Sequence, residues 1–300
     1  MEDLKPDNPR PNNNTLSKKM FKAALALQRQ EINEYHIYSR LADFCRDPHN
    51  AQVLRSVSEA EKGHAGFWQG RTGITVTPNK LKTGWTILQA RLLGLTFVLK
   101  RMEKNEGTAS KMYMELYRDF PETKTFSEAE AAHERELLEM LDEERLRYAG
   151  SVVLGLNDAL VELTGALAGF TLALGETRLI SLAGLITGIS AAFSMAASEY
   201  LSCKADNDPR AVKSALYTGF AYIITVAVLI APFLIAANKF IALGVTLSFA
   251  VLVIFCFNYY LAVARDLDFK RRFTEMTLIS MGVAALSFGV GWLLKMVLGI

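Results

Sequence analysis

The distribution of apolar and polar positions divides the chain into two halves. Charged residues recur throughout the first 150 positions, whereas long apolar runs separated by short charged links fill the rest. A helix needs about 20 mainly apolar residues to cross the hydrocarbon core of a bilayer. The second half therefore predicts five transmembrane helices, over residues 152–174, 179–201, 214–237, 241–264 and 276–294.

The polar half predicts a bundle of four helices. The stretches that fit are 17–45, 50–70, 85–119 and 122–148, separated by Asp47-Pro48, by a connection containing Pro78, and by Phe120-Pro121. Proline and glycine clusters of this kind mark helix ends. The first and third links are short and suit antiparallel neighbours, and the middle link is long enough to cross the bundle.

The links between the predicted spans differ in basic charge. The links after the second and fourth spans are rich in Lys and Arg, whereas those after the first and third hold only Arg178 and Lys239. Basic loops stay on the cytoplasmic side. We therefore expect a multi-pass protein of the cell membrane with a cytoplasmic N-terminal half and a C-terminus outside. The basic residues are Lys204, Arg210, Lys213, Arg265, Lys270, Arg271 and Arg272.

Ionisable residues lie inside the first two predicted spans. Asp158 and Glu162 are four positions apart in the first, and Met195 and Glu199 have the same spacing in the second. An ionised side chain at the centre of a bilayer costs about 2.5 to 3.5 kcal/mol even on the most lenient scale. Taken singly, Glu199 could be solvated at the interface and Met195 could be a packing residue. As a cluster, the four residues indicate a pathway for a divalent transition metal.

The two segments that contain these residues resemble those of a known protein family. The segments GLNDALVELTGALAGF and ISAAFSMAASEYLS resemble the first two spans of the vacuolar iron transporter family. The resemblance implies transport of Fe²⁺ and often Mn²⁺ in exchange for protons by a dimer of five-span subunits. It also implies that Asp158 and Met195 line the pore, with Glu199 and Tyr200 in the adjoining motif. Eukaryotic members insert a carboxylate-rich metal-binding segment after the second span, but here that link is only 202–212.

Small residues recur at four-residue spacing in the same two spans. Gly165 and Gly169 form one pair, and Gly184 and Gly188 form another. Such pairs let helices approach closely. We expect them to contribute to a dimer seam.

The polar half contains repeated metal-ligand spacings. Glu61 and His64 are three apart in the second helix, and Glu130 and His133 repeat the spacing in the fourth, so each pair shares one helix face. Di-iron bundles add one Glu from each of the other two helices. The candidates there are Glu31 or Glu34 in the first helix and Glu103 or Glu106 in the third. The alternative is a solvated charged face.

This half resembles the erythrin group of the ferritin-like superfamily, which includes rubrerythrin and the membrane-bound ferritins. The motifs are EINEYHIY, EAEKGH, EKNE and EAAH, and the first favours Glu31 over Glu34, with Tyr38 as the neighbouring tyrosine. The resemblance implies that two Fe or Mn ions are the cofactors. The implied ligands are Glu31, Glu61, His64, Glu103, Glu106, Glu130 and His133. A rubredoxin-like segment with paired CxxC motifs is missing, which favours metal sensing, storage or loading over peroxidase turnover.

The expected protein is all-α. It has a disordered tail over 1–16, a ferritin-like four-helix bundle over 17–148 and a five-helix transmembrane domain over 149–300. We expect a transporter and not an enzyme, a homodimer in the lipid bilayer that exports Fe²⁺, Mn²⁺ or both. The alternative is a membrane-anchored di-iron ferroxidase or peroxidase. The net charge of +2 comes without a basic patch, so no nucleic-acid partner is expected.

Overall fold

The computed structural model describes residues 17–117, 120–139 and 148–298. Side chains are described for these residues except 105–115, 127, 131, 134, 138, 139 and 298. All regular structure in the described ranges is helical, as expected. The chain divides into two compact units, Met1–Leu141 and Asp142–Ile300.

The first unit contains five helices in its described part. Ser17 caps the first by accepting a hydrogen bond from the Met20 backbone N–H. Asp47 caps the second in the same way, with Pro48 in the first helical position, where its missing N–H costs nothing. The helices are α1 Lys18–Phe44, α2 Pro48–Thr72, α3 Lys80–Leu93, α4 Leu95–Leu116 and α5 Thr123–Glu139.

The prediction of one continuous third helix over 85–119 was wrong. Asn79 caps a helix that already begins at Lys80, so Gly84 lies inside a helix and does not precede one. Gly94 then interrupts the helix with a φ of 100°, a conformation that side chains with a Cβ rarely adopt. The result is two helices, α3 and α4, in place of one.

The core of the first unit is aromatic at one end. Ala24, Leu27, Trp68 and Leu116 are buried together. Edge-to-face contacts join the rings of Phe67, Trp68, Phe120 and Phe126 around them. These contacts hold α1, α2 and α5 in one block.

The second unit consists of five helices that are long and apolar enough to cross a membrane. This confirms the five predicted spans, although every helix begins two to seven residues earlier and the second and fifth also end four residues later. They are α6 Ala149–Ala173, α7 Thr177–Ala205, α8 Ala211–Ile235, α9 Lys239–Ala264 and α10 Phe269–Leu298.

Helix α6 occupies the centre of this unit and packs against all four of the others. A Cβ on Gly155 would stand 2.3 Å from the backbone oxygen of Thr218 on α8, so only glycine fits there. On the other side, a Cβ on Gly291 of α10 would stand 2.6 Å from the backbone oxygen of Gly169. Helix α6 therefore touches two neighbours at backbone distance.

The paired glycines pack within the chain and not where we expected them. Gly165 and Gly169 face Ser287 of α10, and Gly184 and Gly188 of α7 face side chains of α6 and α8. Their small size is used for close helix packing, but the neighbours belong to the same subunit. The expected homodimer stays a prediction that needs another surface.

Candidate metal centre and transport path

Three helices of the first unit bring four predicted ligands together. Helix α1 supplies Glu31, helix α2 supplies Glu61 and His64, and helix α5 supplies Glu130. One ligand atom from each of them lies within 4.8 Å of all the others. Residues 30 and 99 positions apart in the sequence, Glu61 and Glu130 counted from Glu31, thus converge on a volume that one metal ion could occupy.

The two Glu-His motifs face each other in a crossed arrangement. His64 Nδ1 of α2 lies 3.1 Å from Glu130 Oε1 of α5, and His133 Nδ1 of α5 lies 3.9 Å from Glu61 Oε1 of α2. The second oxygen of Glu61 is 3.4 Å from His64 Nδ1. Each carboxylate oxygen of Glu61 therefore faces a different imidazole, which is the position that a carboxylate bridging two metal ions would occupy.

The donor set fits a divalent transition metal. Glu31 and Glu61 are 2% exposed, and such burial of neighbouring carboxylates is costly without a compensating positive charge. The Nδ1 atoms of His64 and His133 are buried and accept or donate no hydrogen bond of acceptable geometry among the described residues. Carboxylate oxygens with imidazole nitrogens suit Fe²⁺ and Mn²⁺.

His133 is held in the form that binds metals. Burial lowers its pKa, and the nearby His64 lowers it further, against the opposing effect of Glu130 and Glu136. A neutral imidazole has a free lone pair on nitrogen, whereas the protonated ring has none to offer. The site therefore needs little proton release from His133 at neutral pH.

An aromatic wall closes one side of the cluster. The rings of His64 and Phe126 lie 4.4 Å apart, and Phe126 also packs against Phe67 of the core. Phe126 precedes Glu130 by one helical turn on α5. The packing fixes the orientation of His64 and excludes water from that side.

The remaining predicted ligands are placed differently. Glu34, the alternative to Glu31, accepts a hydrogen bond from Gln30 at 3.1 Å. Glu103 is half-buried and pairs with Lys100 at 3.4 Å, outside the group of four. The side chain of Glu106 lies outside the described residues. Tyr38 is buried on α1, two turns beyond Glu31.

In the second unit, two predicted pathway residues lie together on α6. The side chains of Asp158 and Glu162 interact with each other. Tyr222 of α8, which is fully buried, donates a hydrogen bond from its hydroxyl to Glu162 Oε2 at 3.1 Å. Asp158 is half-buried and Glu162 is exposed at the surface of the subunit.

The other two predicted residues lie on α7 in different surroundings. Glu199 accepts hydrogen bonds from Ser151 Oγ at 2.7 Å and from Cys203 Sγ at 3.7 Å. Met195 is partly buried and packs against the apolar core of the unit. Glu199 thus joins α7 to the first turn of α6, near the start of the span.

Two residues of this region were missed in the sequence. Tyr222 and Ser151 each bind a predicted carboxylate, but they lie 60 and 48 positions from it. A hydroxyl inside an apolar span was a usable indication that some polar partner is near. The identity of that partner depends on helix packing, which periodicity does not give.

Comparison with known proteins bears on the second unit. Residues 149–212 match the sequence model of the VIT family. No curated protein matches the chain. The matched segment covers α6, α7 and the link to α8, and it contains Asp158, Glu162, Met195 and Glu199. Together with the five apolar helices, the match supports a VIT-type, multi-pass membrane domain that transports metal ions.

Proposed function

We propose that the protein exports Fe²⁺, Mn²⁺ or both from the cytoplasm, and that its first unit captures, senses or loads the metal. The observation that carries the proposal is the interacting pair Asp158 and Glu162 on α6, inside the segment that matches the VIT family. Carboxylates in a membrane-spanning helix are costly and mark ion pathways. An anchor helix would not need them.

The exposure of Glu162 supports a second copy of the chain as partner. An ionised carboxylate does not face lipid at low cost, so the surface that carries Glu162 requires a water-filled path or another subunit. A homodimer with the two carboxylate pairs facing each other would provide both. The metal would then exchange its hydration shell for oxygens of Asp158 and Glu162 and the thioether of Met195.

The direction of transport follows from charge. The link between α7 and α8 contains Lys204 and Arg210, and basic links stay in the cytoplasm. The cytoplasmic side would then hold the start of α6, the end of α7 and the first unit, which precedes α6. Cytoplasmic capture is the arrangement that an exporter requires.

The first unit would hold two metal ions with its two Glu-His motifs. Glu61 would serve both ions, since its two oxygens face different imidazoles, and His64, Glu130 and His133 would hold the ions with it. Glu31 and either Glu103 or Glu106 would complete the set of ligands. When bound, iron supplies redox chemistry with oxygen, and manganese supplies reversible binding. The contribution of the protein is a largely buried, negatively charged site with a neutral imidazole at His133.

A second function is favoured by the same cluster. A group of three carboxylates and a histidine, of which all but Glu130 are buried, also suits a ferroxidase or peroxidase, with the five spans as its anchor. The two functions predict different results in the membrane. An enzyme would keep full activity when the membrane carboxylates are removed, whereas a transporter would not.

Metal flux in proteoliposomes tests the proposal. The full chain should move Fe²⁺ or Mn²⁺ across the bilayer, and Asp158→Asn should abolish the flux because an amide dipole cannot replace a full charge beside a dehydrated dication. The matched control is Asp206→Asn, an exposed aspartate after the end of α7. Wild-type flux in a well-folded Asp158→Asn protein would reject the pathway and favour the anchored enzyme.

Changes in the first unit provide the complementary test. The combined variant Glu61→Ala with His133→Ala should bind less metal and transport more slowly, but some flux should remain because neither residue lies in a membrane span. Elemental analysis gives the metal content of the same samples. Unchanged stoichiometry near two ions would reject the metal centre.

A further inference from the structure

Helix α3 presents an apolar stripe to the exterior of the first unit. Leu81, Trp85, Leu88 and Leu92 are 86%, 59%, 43% and 67% exposed. Their spacing of four, three and four residues places all of them on one helix face, in a stripe about 60° wide. Large apolar side chains in such a row, including a tryptophan, are unusual on a surface that faces only water.

The opposite face of the same helix is fixed to the bundle. Thr86 and Ala90 are buried. Arg101 of α4 donates hydrogen bonds to Thr86 Oγ1, at 3.1 Å, and to the Gln89 side chain. Helix α3 therefore does not turn its apolar stripe inward, and the exposure is a stable property of this fold.

Basic side chains flank the stripe on both edges. Lys82 lies about a quarter-turn to one side, and Lys80 and Arg91 lie about a quarter-turn to the other. All three are exposed, and Arg91 packs over the ring of Phe44 at 5.5 Å. Lys80–Leu93 contains no acidic residue. An apolar face with basic edges and an interfacial tryptophan is the pattern of a helix that lies in the plane of a membrane surface.

We propose that α3 lies on the surface of the bilayer that the second unit spans, with its stripe among the acyl chains and its basic edges at anionic lipid headgroups. The second unit tethers the helix to that bilayer. The described part of α5 ends at Glu139 and α6 begins at Ala149, so the connection between the bundle and the first span reaches at most about 35 Å. This tether gives α3 a high effective concentration at the membrane surface.

A bilayer fits the stripe better than a second copy of the chain does. Two α3 helices that met along their stripes would bring Lys80, Lys82 and Arg91 of each close to those of the other, and like charges so placed repel. Anionic headgroups neutralise the same charges. Each basic residue near an anionic surface strengthens binding by about fivefold, and the three together by about a hundredfold.

The test uses the full chain in lipid nanodiscs that hold one copy each. Leu88→Cys, in a background with Cys45, Cys203 and Cys256 replaced by serine, carries a nitroxide spin label. Collision with oxygen reports the acyl region, and collision with a water-soluble nickel complex reports solvent. Ser56→Cys, an exposed position on α2, is the matched control site.

We expect oxygen collisions to exceed nickel collisions at position 88 in discs of equal parts phosphatidylcholine and phosphatidylglycerol, and the reverse at position 56. Replacing Lys80, Lys82 and Arg91 with glutamine should lower membrane partition by about a hundredfold. The control replaces Lys18, Lys19 and Lys22 of α1 with glutamine, which removes the same charge elsewhere. The pair Lys80→Gln with Lys82→Gln, which leaves Arg91 on Phe44, serves if the triple variant does not fold.

Three results would overturn the proposal. The first is solvent exposure of position 88 in every lipid composition. The second is solvent exposure in single-copy discs combined with a disulfide between two Leu88→Cys chains in discs holding two copies, which would assign the stripe to a protein contact. The third is equal membrane contact in phosphatidylcholine alone and in the anionic mixture.

Discussion

The crossed geometry of the metal centre makes a prediction about Glu61 that no other ligand shares. Its two oxygens face His64 and His133 separately. Replacing Glu61 with glutamine keeps the size of the side chain and removes the charge. Because the carboxylate would serve both ions, the variant should lose affinity at two sites and not at one. The same change at Glu31 should affect only one.

The magnitude can be worked from the distances. Two unit charges 4.8 Å apart, the largest separation between ligand atoms in the cluster, repel by about 3.5 kcal/mol at an effective dielectric constant of 20. In the metal-free protein, glutamine at position 61 relieves part of this repulsion between carboxylates. We expect the free energy of unfolding to rise by about 1 to 2 kcal/mol, less than the full repulsion, because burying the new amide has a cost of its own.

Metal reverses the order of stability. An ion at a hundredfold excess over its Kd stabilises the wild-type bundle by about 2.7 kcal/mol per site. For a domain of this size that is roughly 10 °C in Tm. Glu61→Gln should gain less than half as much. The variant is thus more stable than the wild type without metal and less stable with it.

Tryptophan fluorescence during thermal unfolding measures both effects in the full chain. Trp68 is buried in the bundle core, and replacing the exposed Trp85 and Trp292 with phenylalanine leaves it as the only reporter. Samples are compared with a chelator and with Mn²⁺ at pH 7. Glu59→Gln, at an exposed position of the same helix, is the matched control and should respond to metal as the wild type does.

Equal metal-induced stabilisation of Glu61→Gln and the wild type would refute the bridging position. A lower Tm of the metal-free variant would refute the repulsion argument. Glu31→Gln distinguishes a ligand shared by two ions from a ligand of one ion. Because Glu31 would serve one ion only, this variant should still bind about one ion. Elemental analysis of the same samples counts the ions directly.

Three further predictions concern the membrane unit. Met195→Ala should leave folding intact and weaken discrimination of Fe²⁺ against Mg²⁺ and Ca²⁺ in flux competition, since a thioether favours softer ions; unchanged selectivity would make Met195 a packing residue only. A cysteine introduced at Asn207 should resist a membrane-impermeant thiol reagent applied outside intact cells, and labelling there would reverse the orientation. Gly155→Ala should destabilise the unit by about 1 to 3 kcal/mol in detergent, because the new Cβ would meet the α8 backbone. Gly150→Ala, with open space around it, should not.

Local patterns predicted most of the helices. The Asp47-Pro48 start, the apolar runs and the repeated Glu-His spacing all depend on residues within a turn or two of each other, and the structure places Glu61, His64 and Glu130 in one cluster. Five apolar stretches likewise gave five helices. Such features need no knowledge of the rest of the fold.

Other features depend on distant neighbours and could not be predicted. Gly84 and Gly94 look alike in the sequence, yet the first lies inside α3 and the second ends it with a positive φ. The glycine pair at Gly184 and Gly188 predicts close packing but not whether the neighbour belongs to the same chain. The bond from Tyr222 to Glu162 arises only when α6 and α8 meet.

The close contacts of α6 have a consequence for motion during transport. Gly155 against α8 and Gly169 against α10 place the α6 backbone next to another backbone at two levels, and Asp158 and Glu162 lie between those levels. A contact without side chains has no rotamers that can change and little room to slide. We therefore expect α6, with Asp158 and Glu162, to stay fixed during transport. Opening the transport path to one side of the membrane or the other would then require other helices to move around α6. Helix α7 suits that part, because less of it is buried inside the unit than of α6 or α8.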